Sequence, residues 1–254
     1  MKNQPMAEKD EFAFDFSERC YPGVSPKRVS EDHVQAYIFV KRFAADKIIL
    51  DIACGEGYGS NMLKNAGARK VFSIDNNPDI VKHASRTYPG VSFSVADATS
   101  TNFPDESFDM VVCLAAWHHL DGYAEFPKEV SRILKPSGLL IFSVPNEKII
   151  YRNPFHKHFL TKFYRVDFTK EKAEKLLDPF FVIEGWYGQR FVKKYYANRL
   201  VRLFLHLGSF MSSYIASRVH SAFVLADGPI VRPLLSDNAR YMLAICRNKN
   251  KTIS

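Results

Sequence analysis

Cysteine is scarce in this chain, and the four present stand far apart. Cys20, Cys54, Cys113 and Cys246 form no C-x-x-C pair in 254 residues, which excludes the common zinc and dithiol frames. Two of them fall inside apolar, strand-like runs, so buried reduced thiols are expected, a state that suits a reducing cytosol. Long apolar runs are missing as well, since none reaches the roughly 20 residues that a membrane span needs. Met1–Glu18 is polar and acidic with scattered Phe and lacks the basic, apolar and small-residue succession of a signal peptide. The expected location is cytoplasmic, either free or peripheral to the inner membrane face. Internal repeats and low-complexity tracts are absent too.

What is present is enough for one α/β domain with an appendage, because 46% of the residues are apolar and a chain of this length buries a large core. The net charge of +8 is unevenly placed: residues 1–146 carry 16 Lys+Arg against 19 Asp+Glu, and residues 147–254 carry 19 against 8. A basic C-terminal part suits a phosphate-bearing or membrane-surface partner, or is an ordinary solvated surface, and composition alone does not choose.

From Ile48 onward, β-rich apolar runs alternate with helical patterns. The runs are Ile48–Ala53, Val71–Asp75, Val91–Ala96, Phe108–Leu114 and Leu139–Val144, and such alternation predicts a parallel sheet wrapped by helices. Gly59–Ala66 reads as a helix ended by Gly67, and Asn77–Arg86 as another with Pro78 in its first turn. Pro127–Leu134 is the third crossover, followed by the turn Lys135-Pro136-Ser137-Gly138. Phe180–Phe191 and Tyr241–Arg247 add two strands, for seven in all. Between them lies an insertion at about 192–237, read as helical. A helix starting near Ser30, with Glu31 and Asp32 in its first turn, should cover one face of the pocket. The predicted organisation is an N-terminal cap (1–45) followed by the catalytic domain (46–254).

The strongest chemical signal is Ile48-Ile49-Leu50-Asp51-Ile52-Ala53-Cys54-Gly55-Glu56-Gly57-Tyr58-Gly59-Ser60, an apolar strand that runs into a glycine loop and then a helix. Glycines there let backbone N–H groups and a positive helix end approach a ligand. The dinucleotide fingerprint asks for G-x-G-x-x-G, whereas Ser60 stands at its third glycine position. Asp51 lies four residues before the first glycine, where it could meet a ligand amino group or be a solvated strand end. Asp75 closes the next strand, 20 residues after Gly55, where a carboxylate accepts hydrogen bonds from ribose hydroxyls or caps a helix.

These residues resemble the class I S-adenosylmethionine-dependent methyltransferases, of the methyltransferase type 11 kind. The likeness continues through Asp97-Ala98, Pro104–Cys113 and Leu134–Phe142, with Ser137 where glycine is usual, and covers roughly residues 45–146. It implies a Rossmann-like α/β fold: a seven-stranded, mostly parallel sheet with helices on both faces, an N-terminal helical cap and a helical insertion between the last two strands. It also implies S-adenosylmethionine as cofactor, held by Asp51, Ala53, Gly55, Glu56, Gly57, Tyr58, Asp75, Asn76, Asp97, Ala98 and Ala115. Glu18–Gly23, Glu31-Asp32-His33 and Asn153-Pro154-Phe155-His156 look like segments of bacterial methyltransferases of polysaccharide and glycan biosynthesis, although Ala36-Tyr37 replaces the Arg-Tyr usual there.

Methyl transfer to a hydroxyl needs alignment with the donor and removal of a proton. Ala115-Ala116-Trp117-His118-His119-Leu120 follows the fourth strand, at the sheet edge where α/β folds place reacting ligands. The resemblance points to His119 as general base, with His118 as the alternate and loop-holding as the bland reading. Tyr37, Trp117, Asn146 and His156 are expected in the acceptor pocket. His118, His119, His156 and His158 match no zinc spacing, so no metal is expected. Nucleic-acid methylation is disfavoured because Leu114-Ala115-Ala116-Trp117 replaces the Asn/Asp-Pro-Pro-Tyr/Phe of base-amino enzymes. The expected partner is a small hydroxyl-bearing acceptor such as a sugar or lipid-linked glycan, with a quinone or secondary metabolite as alternative. The insertion reads as a lid or a dimer surface, leaving monomer and homodimer open, or as a membrane-surface contact.

Overall fold

Ile49 and Leu50 are adjacent in sequence but serve different cores, because successive side chains of a strand point to opposite faces. Ile49 joins Val71, Met110 and Val112 beneath two helices, while Leu50 joins Val111, Leu140 and Phe142 beneath two others. The strands that read as near-continuous apolar runs are those buried on both sides, as parallel strands between helix layers must be. Our computed structural model describes residues 27–150, 164–191, 231–234 and 239–249.

The strands are β1 (Ile48–Ile52), β2 (Lys70–Asp75), β3 (Ser92–Val95), β4 (Phe108–Leu114), β5 (Leu134–Pro145), β6 (Phe181–Phe191), β7 (Arg232–Pro233) and β8 (Ala239–Asn248). They form one sheet in the order β3-β2-β1-β4-β5-β8-β6-β7. β1 pairs in parallel with β2 and β4, β2 with β3, and β4 with β5. β8 runs antiparallel between β5 and β6. The seven expected strands are thus present in a mixed, Rossmann-like sheet.

The helices are α1 (Lys27–Val40), α2 (Tyr58–Asn65), α3 (Pro78–Thr87), α4 (Phe126–Ile133), α5 (Glu147–Ile150) and α6 (Lys170–Leu177). Tyr37 and Val40 of α1 and Leu63 of α2 cover one face of the sheet, and Phe126, Val130, Ala173 and Leu177 of α4 and α6 cover the other. The Asn77 side chain caps α3 by accepting from the N–H groups of Asp79 and Ile80, with Pro78 at the first position, where its missing N–H costs nothing. Cys54, Cys113 and Cys246 are buried free thiols. Among the described residues no helix is long and apolar enough to cross a membrane.

Three expectations change. α1 starts at Lys27, so Glu31 and Asp32 lie in its second turn and its first turn holds no acid. The turn expected at Lys135–Gly138 lies inside β5: pairing steps from Phe108↔Leu134 to Met110↔Leu139, so the extra residues bulge out, with Ser137 at φ 60°. Within the insertion, Arg232 and Pro233 form strand rather than helix, paired with Tyr187 and Gly188. Two residues are too few to show a period, and proline is tolerated on such an edge. The rest of the 192–237 stretch lies outside the described residues.

Candidate functional site

The chain runs outward from β1 in both directions, to β2 and β3 on one side and to β4 and β5 on the other. Such a switch point opens a crevice at the carboxyl ends of the strands. A cavity of about 300 Å³ lies there, lined by residues that follow β1, β2, β3 and β4. The loop after β1 is left-handed at Ala53 (φ 54°), Gly55 (φ 54°) and Gly57 (φ 86°), and Ala115 after β4 has φ 52°. For an alanine that conformation costs on the order of 1–3 kcal/mol, so the surroundings must impose it. At Ala53 the next N–H, that of Cys54, is bonded to the Ile74 carbonyl at 3.0 Å. At Ala115 the N–H is shared between the carbonyl and hydroxyl oxygens of Ser143 at 3.0 and 2.9 Å. A Cβ added to Gly55 would meet nothing within 4 Å, so the loop presents open backbone to the cavity.

Three acids stand on the cavity wall, Asp75, Asp97 and Asp121, the first two at the ends of β2 and β3. Asp75 accepts from the Gly55 N–H at 3.1 Å and the Asn77 N–H at 3.0 Å, which ties the end of β2 to the glycine loop. The capping role belongs to Asn77, not to Asp75. Asp97 accepts from the Thr99 N–H and hydroxyl, both at 2.6 Å. Ala53, Gly55, Tyr58, Asn76, Ala98 and Ala115 share this wall.

Asp51, expected to meet the ligand directly, does not reach the cavity. It is fully buried, accepts from the Ser60 hydroxyl at 2.6 Å and lies 3.1 and 3.2 Å from the Tyr37 hydroxyl. Burial pushes its carboxyl up to about 7, partly offset by the hydrogen bonds from Ser60 and Tyr37. The residue at the third dinucleotide glycine position therefore supports the loop from behind. Glu56 and Gly57 are also off the wall: Glu56 faces His83, Oε1 to Nε2 at 3.4 Å, and Gly57 is packed against Phe93 and Ala84.

His119 lines the cavity together with Tyr37, as expected, but Trp117 and Asn146 do not. Trp117 is fully buried between Phe126, Phe142 and Phe168, with its indole N–H donated to the Tyr123 carbonyl at 2.8 Å. Asn146 is fully buried, donates to the Ala239 carbonyl and accepts from the Lys148 N–H, so its amide is spent on the backbone. His118 turns away from the wall. Its ring lies 4.0 Å from that of His119 and 4.4 Å from that of Tyr164. Burial first, then His119 and His33, hold it well below the usual histidine range. It is a neutral packing group and not a second base. His156 and His158 lie outside the described residues. Among the described residues no three His, Cys, Asp or Glu side chains gather as a metal site.

The sequence reading missed His33, Thr99, Asp121 and Arg165 on the wall. His33 could have been found, because it stands four residues before Tyr37 and shares its helix face. Burial and the nearby His119 push it down to about 4. Arg165 had no local signal; its N–H is donated to the His118 carbonyl at 2.9 Å, and its guanidinium pairs with Asp121 at 2.5 Å.

Comparison with known proteins finds methyltransferases among the similar chains. Residues 50–142 match the family described as "Methyltransferase domain". A Mycolicibacterium smegmatis protein named "Probable S-adenosylmethionine-dependent methyltransferase" is 29% identical over 230 residues, 87% of this chain and 82% of its own length. The 2-methyl-6-phytyl-1,4-hydroquinone methyltransferase of Synechocystis is 38% identical over 103 residues, 39% of this chain and 32% of its own. This chain spans about half or less of several further curated relatives. In fold, an S-adenosylmethionine-dependent methyltransferase from Mesorhizobium loti superposes with a TM-score of 0.58 at 16% identity, over 85% of this chain and 99% of that one.

Proposed function

We propose that this S-adenosylmethionine-dependent methyltransferase methylates a hydroxyl group of a small acceptor, a sugar or glycan-linked unit, with His119 taking the proton. The observation that carries this reading is that one cavity joins the acid-bearing strand ends to a histidine. The residues fit the cofactor: Asp75 would accept from ribose hydroxyls, Asp97 from the adenine amino group, and the open backbone at Gly55 leaves room for the amino-acid part. When bound, S-adenosylmethionine supplies a methyl group on a sulfonium, which is open to in-line attack. The chain's own task is to hold the acceptor oxygen on that line and to take its proton. His33 is held low and His118 lies off the wall, which leaves His119 as the histidine in the cavity placed to take the proton. In this reading residues 1–45 are a cap, of which α1 is the described part, and 46–254 the catalytic domain.

His119→Ala should lower kcat on the order of 10² to 10⁴, the usual worth of a general base, and leave S-adenosylhomocysteine affinity nearly intact. The assay is methyl transfer from labelled S-adenosylmethionine into a host extract of glycans and small metabolites, read by product mass. Full turnover in the variant, or loss of cofactor affinity together with rate, would reject the role. A second reading, a hydroquinone acceptor, draws support from the Synechocystis relative; labelled product in the quinone fraction alone would favour it.

A further inference from the structure

α1 is fastened to a part of the sheet that is remote in sequence. Arg190, near the end of β6, donates from Nε to Asp32 Oδ1 at 2.6 Å and from Nη2 to Glu31 Oε2 at 3.3 Å. Its neighbour Gln189 donates from Nε2 to the Asp32 carbonyl at 3.0 Å. Asp32, Gln189 and Arg190 are all buried. Further along, Phe39 of α1 packs on Tyr187 of β6 with ring centroids 4.6 Å apart.

An apolar pair would hold a helix to a sheet at least as well as a buried ion pair, whose desolvation offsets its attraction. Such a pair can serve instead to fix register, and here it ties α1 to β6 at Glu31 and Asp32. Arg190 keeps a left-handed backbone, φ 54°, a strain that tends to persist at positions the fold over-determines.

The residue set in place by this latch is the next one along. His33 lines the cavity that His119 lines; His119 acts on it electrostatically, and it acts in turn on His118. Tyr37 reaches the same cavity from its own helix, and Asp121 and Arg165 from the opposite loops. We propose that Arg190 is a positioning residue for methyl transfer: through Asp32 it sets the register of α1 so that His33 stands in the cavity beside His119, as the second histidine that an acceptor meets. The inference rests on the reading of this cavity as the acceptor's site. His33 is half-buried there, and burial and His119 push it down to about 4. At neutral pH its uncharged ring keeps one N–H and offers an acceptor hydroxyl the lone pair of the other nitrogen, and the proton leaves through His119.

Imidazole NMR of the cofactor-free full chain tests the latch without any acceptor. In the wild type the His33 signal should stay at its neutral position until the pH falls close to 4. In Arg190→Met it should titrate near the ordinary histidine value of about 6.5, because the ring is no longer held on the cavity wall beside His119, and Arg190→Lys should restore part of the shift. Should Arg190→Met fail to fold, the double variant Asp32→Asn, Arg190→Met removes the opposite charge as well and should show the same release. An unchanged His33 titration would overturn the proposal. In transfer to the host extract, Arg190→Met and His33→Gln should each lower the rate about tenfold or more. Combined, they should lose no more than the worse single variant, and additive losses would count against action through His33. A wild type that methylates nothing in the extract would overturn the hydroxyl-acceptor reading, while the imidazole titration still judges the latch.

Discussion

A methyl group added at Gly59 should expose how tightly α1 is seated on the cofactor loop. Gly59 lies in the first turn of α2, and a Cβ there would fall 2.0 Å from Tyr37 Cζ and 2.3 and 2.4 Å from the two Cε atoms. The ring is not free to step aside, because its hydroxyl is held by buried Asp51 and its edge meets Tyr58 with centroids 5.6 Å apart. Overpacking typically costs about 1–3 kcal/mol, and leaving a buried polar group short of its partner about 1–3 kcal/mol. The gain from replacing glycine by alanine in a helix is only about 0.5–1 kcal/mol. Gly59→Ala should therefore destabilise the protein by about 2–5 kcal/mol on these magnitudes, measured by urea unfolding, and weaken S-adenosylhomocysteine binding in calorimetry. The decisive control is the cycle with Tyr37→Ala. Without the ring, the added methyl group meets no obstacle and should be neutral or slightly stabilising, which gives a coupling energy of about 2 kcal/mol or more, at the upper end of that for contacting residues. A Gly59→Ala variant as stable as the wild type, or one that costs the same with and without Tyr37, would refute the packing argument.

Asp75→Ala should weaken S-adenosylhomocysteine binding by about 1.5–3 kcal/mol, the worth of hydrogen bonds to a charged group, and unchanged affinity in calorimetry would remove Asp75 from the site. Asp51 should mark the pH dependence of the cofactor-free protein. Its folded carboxyl is pushed up from 3.8 to about 7, so the folded chain keeps a proton that the unfolded chain releases. That contribution is fully present below pH 4 and is lost as the pH rises towards 7, an effect of up to roughly 4 kcal/mol at 1.36 kcal/mol per unit. Melting temperatures of Asp51→Asn from pH 4 to 7 should accordingly fall less steeply than those of the wild type, and parallel curves would contradict the raised value. Trp117→Ala should cost about 3–5 kcal/mol in urea unfolding, as large core truncations do. With the fold intact at low temperature its S-adenosylhomocysteine affinity should match the wild type, and a selective loss of affinity would return Trp117 to the site.

The parts of the fold that the sequence announced are those where one physical signal acts alone. β4 was read at its observed bounds because both its faces are buried, so its apolar run starts at Phe108 and stops at Leu114, just before the left-handed Ala115. The first residues of α3 were legible because Asn77 and Pro78 act locally, one as cap and one as a ready-made first helical position. β7 was not, since two residues paired on an edge owe their place to Tyr187 and Gly188, some 45 positions away. The short helix Trp117–His119 shows the same limit within the site. In a 3-10 helix, successive side chains are about 120° apart, so three adjacent residues face three directions. Which of them meets the cavity is decided by Phe126, Phe142 and Phe168 closing around Trp117, and none of those contacts is local.

Asp51 is the instructive case, because its direction was readable and the motif obscured it. An acid at the end of β1 invites a ligand contact, yet strand parity places Asp51 on the face of Ile49, away from Leu50 and Ile52. Ile49 belongs to the core beneath α1 and α2, whereas Leu50 and Ile52 belong to the other. Asp51 must then point towards α1 and α2, and that is where Tyr37 and Ser60 meet it. The same parity accounts for Ser60 at a position where a dinucleotide-binding loop has glycine. A bare glycine there would leave a buried carboxylate short of a donor, and an unmet acceptor of that kind costs more than the hydroxyl's burial. The loop is held to α1 through this acid, so the residues that shape the cofactor wall and those that seat the helix above it are one hydrogen-bonded unit.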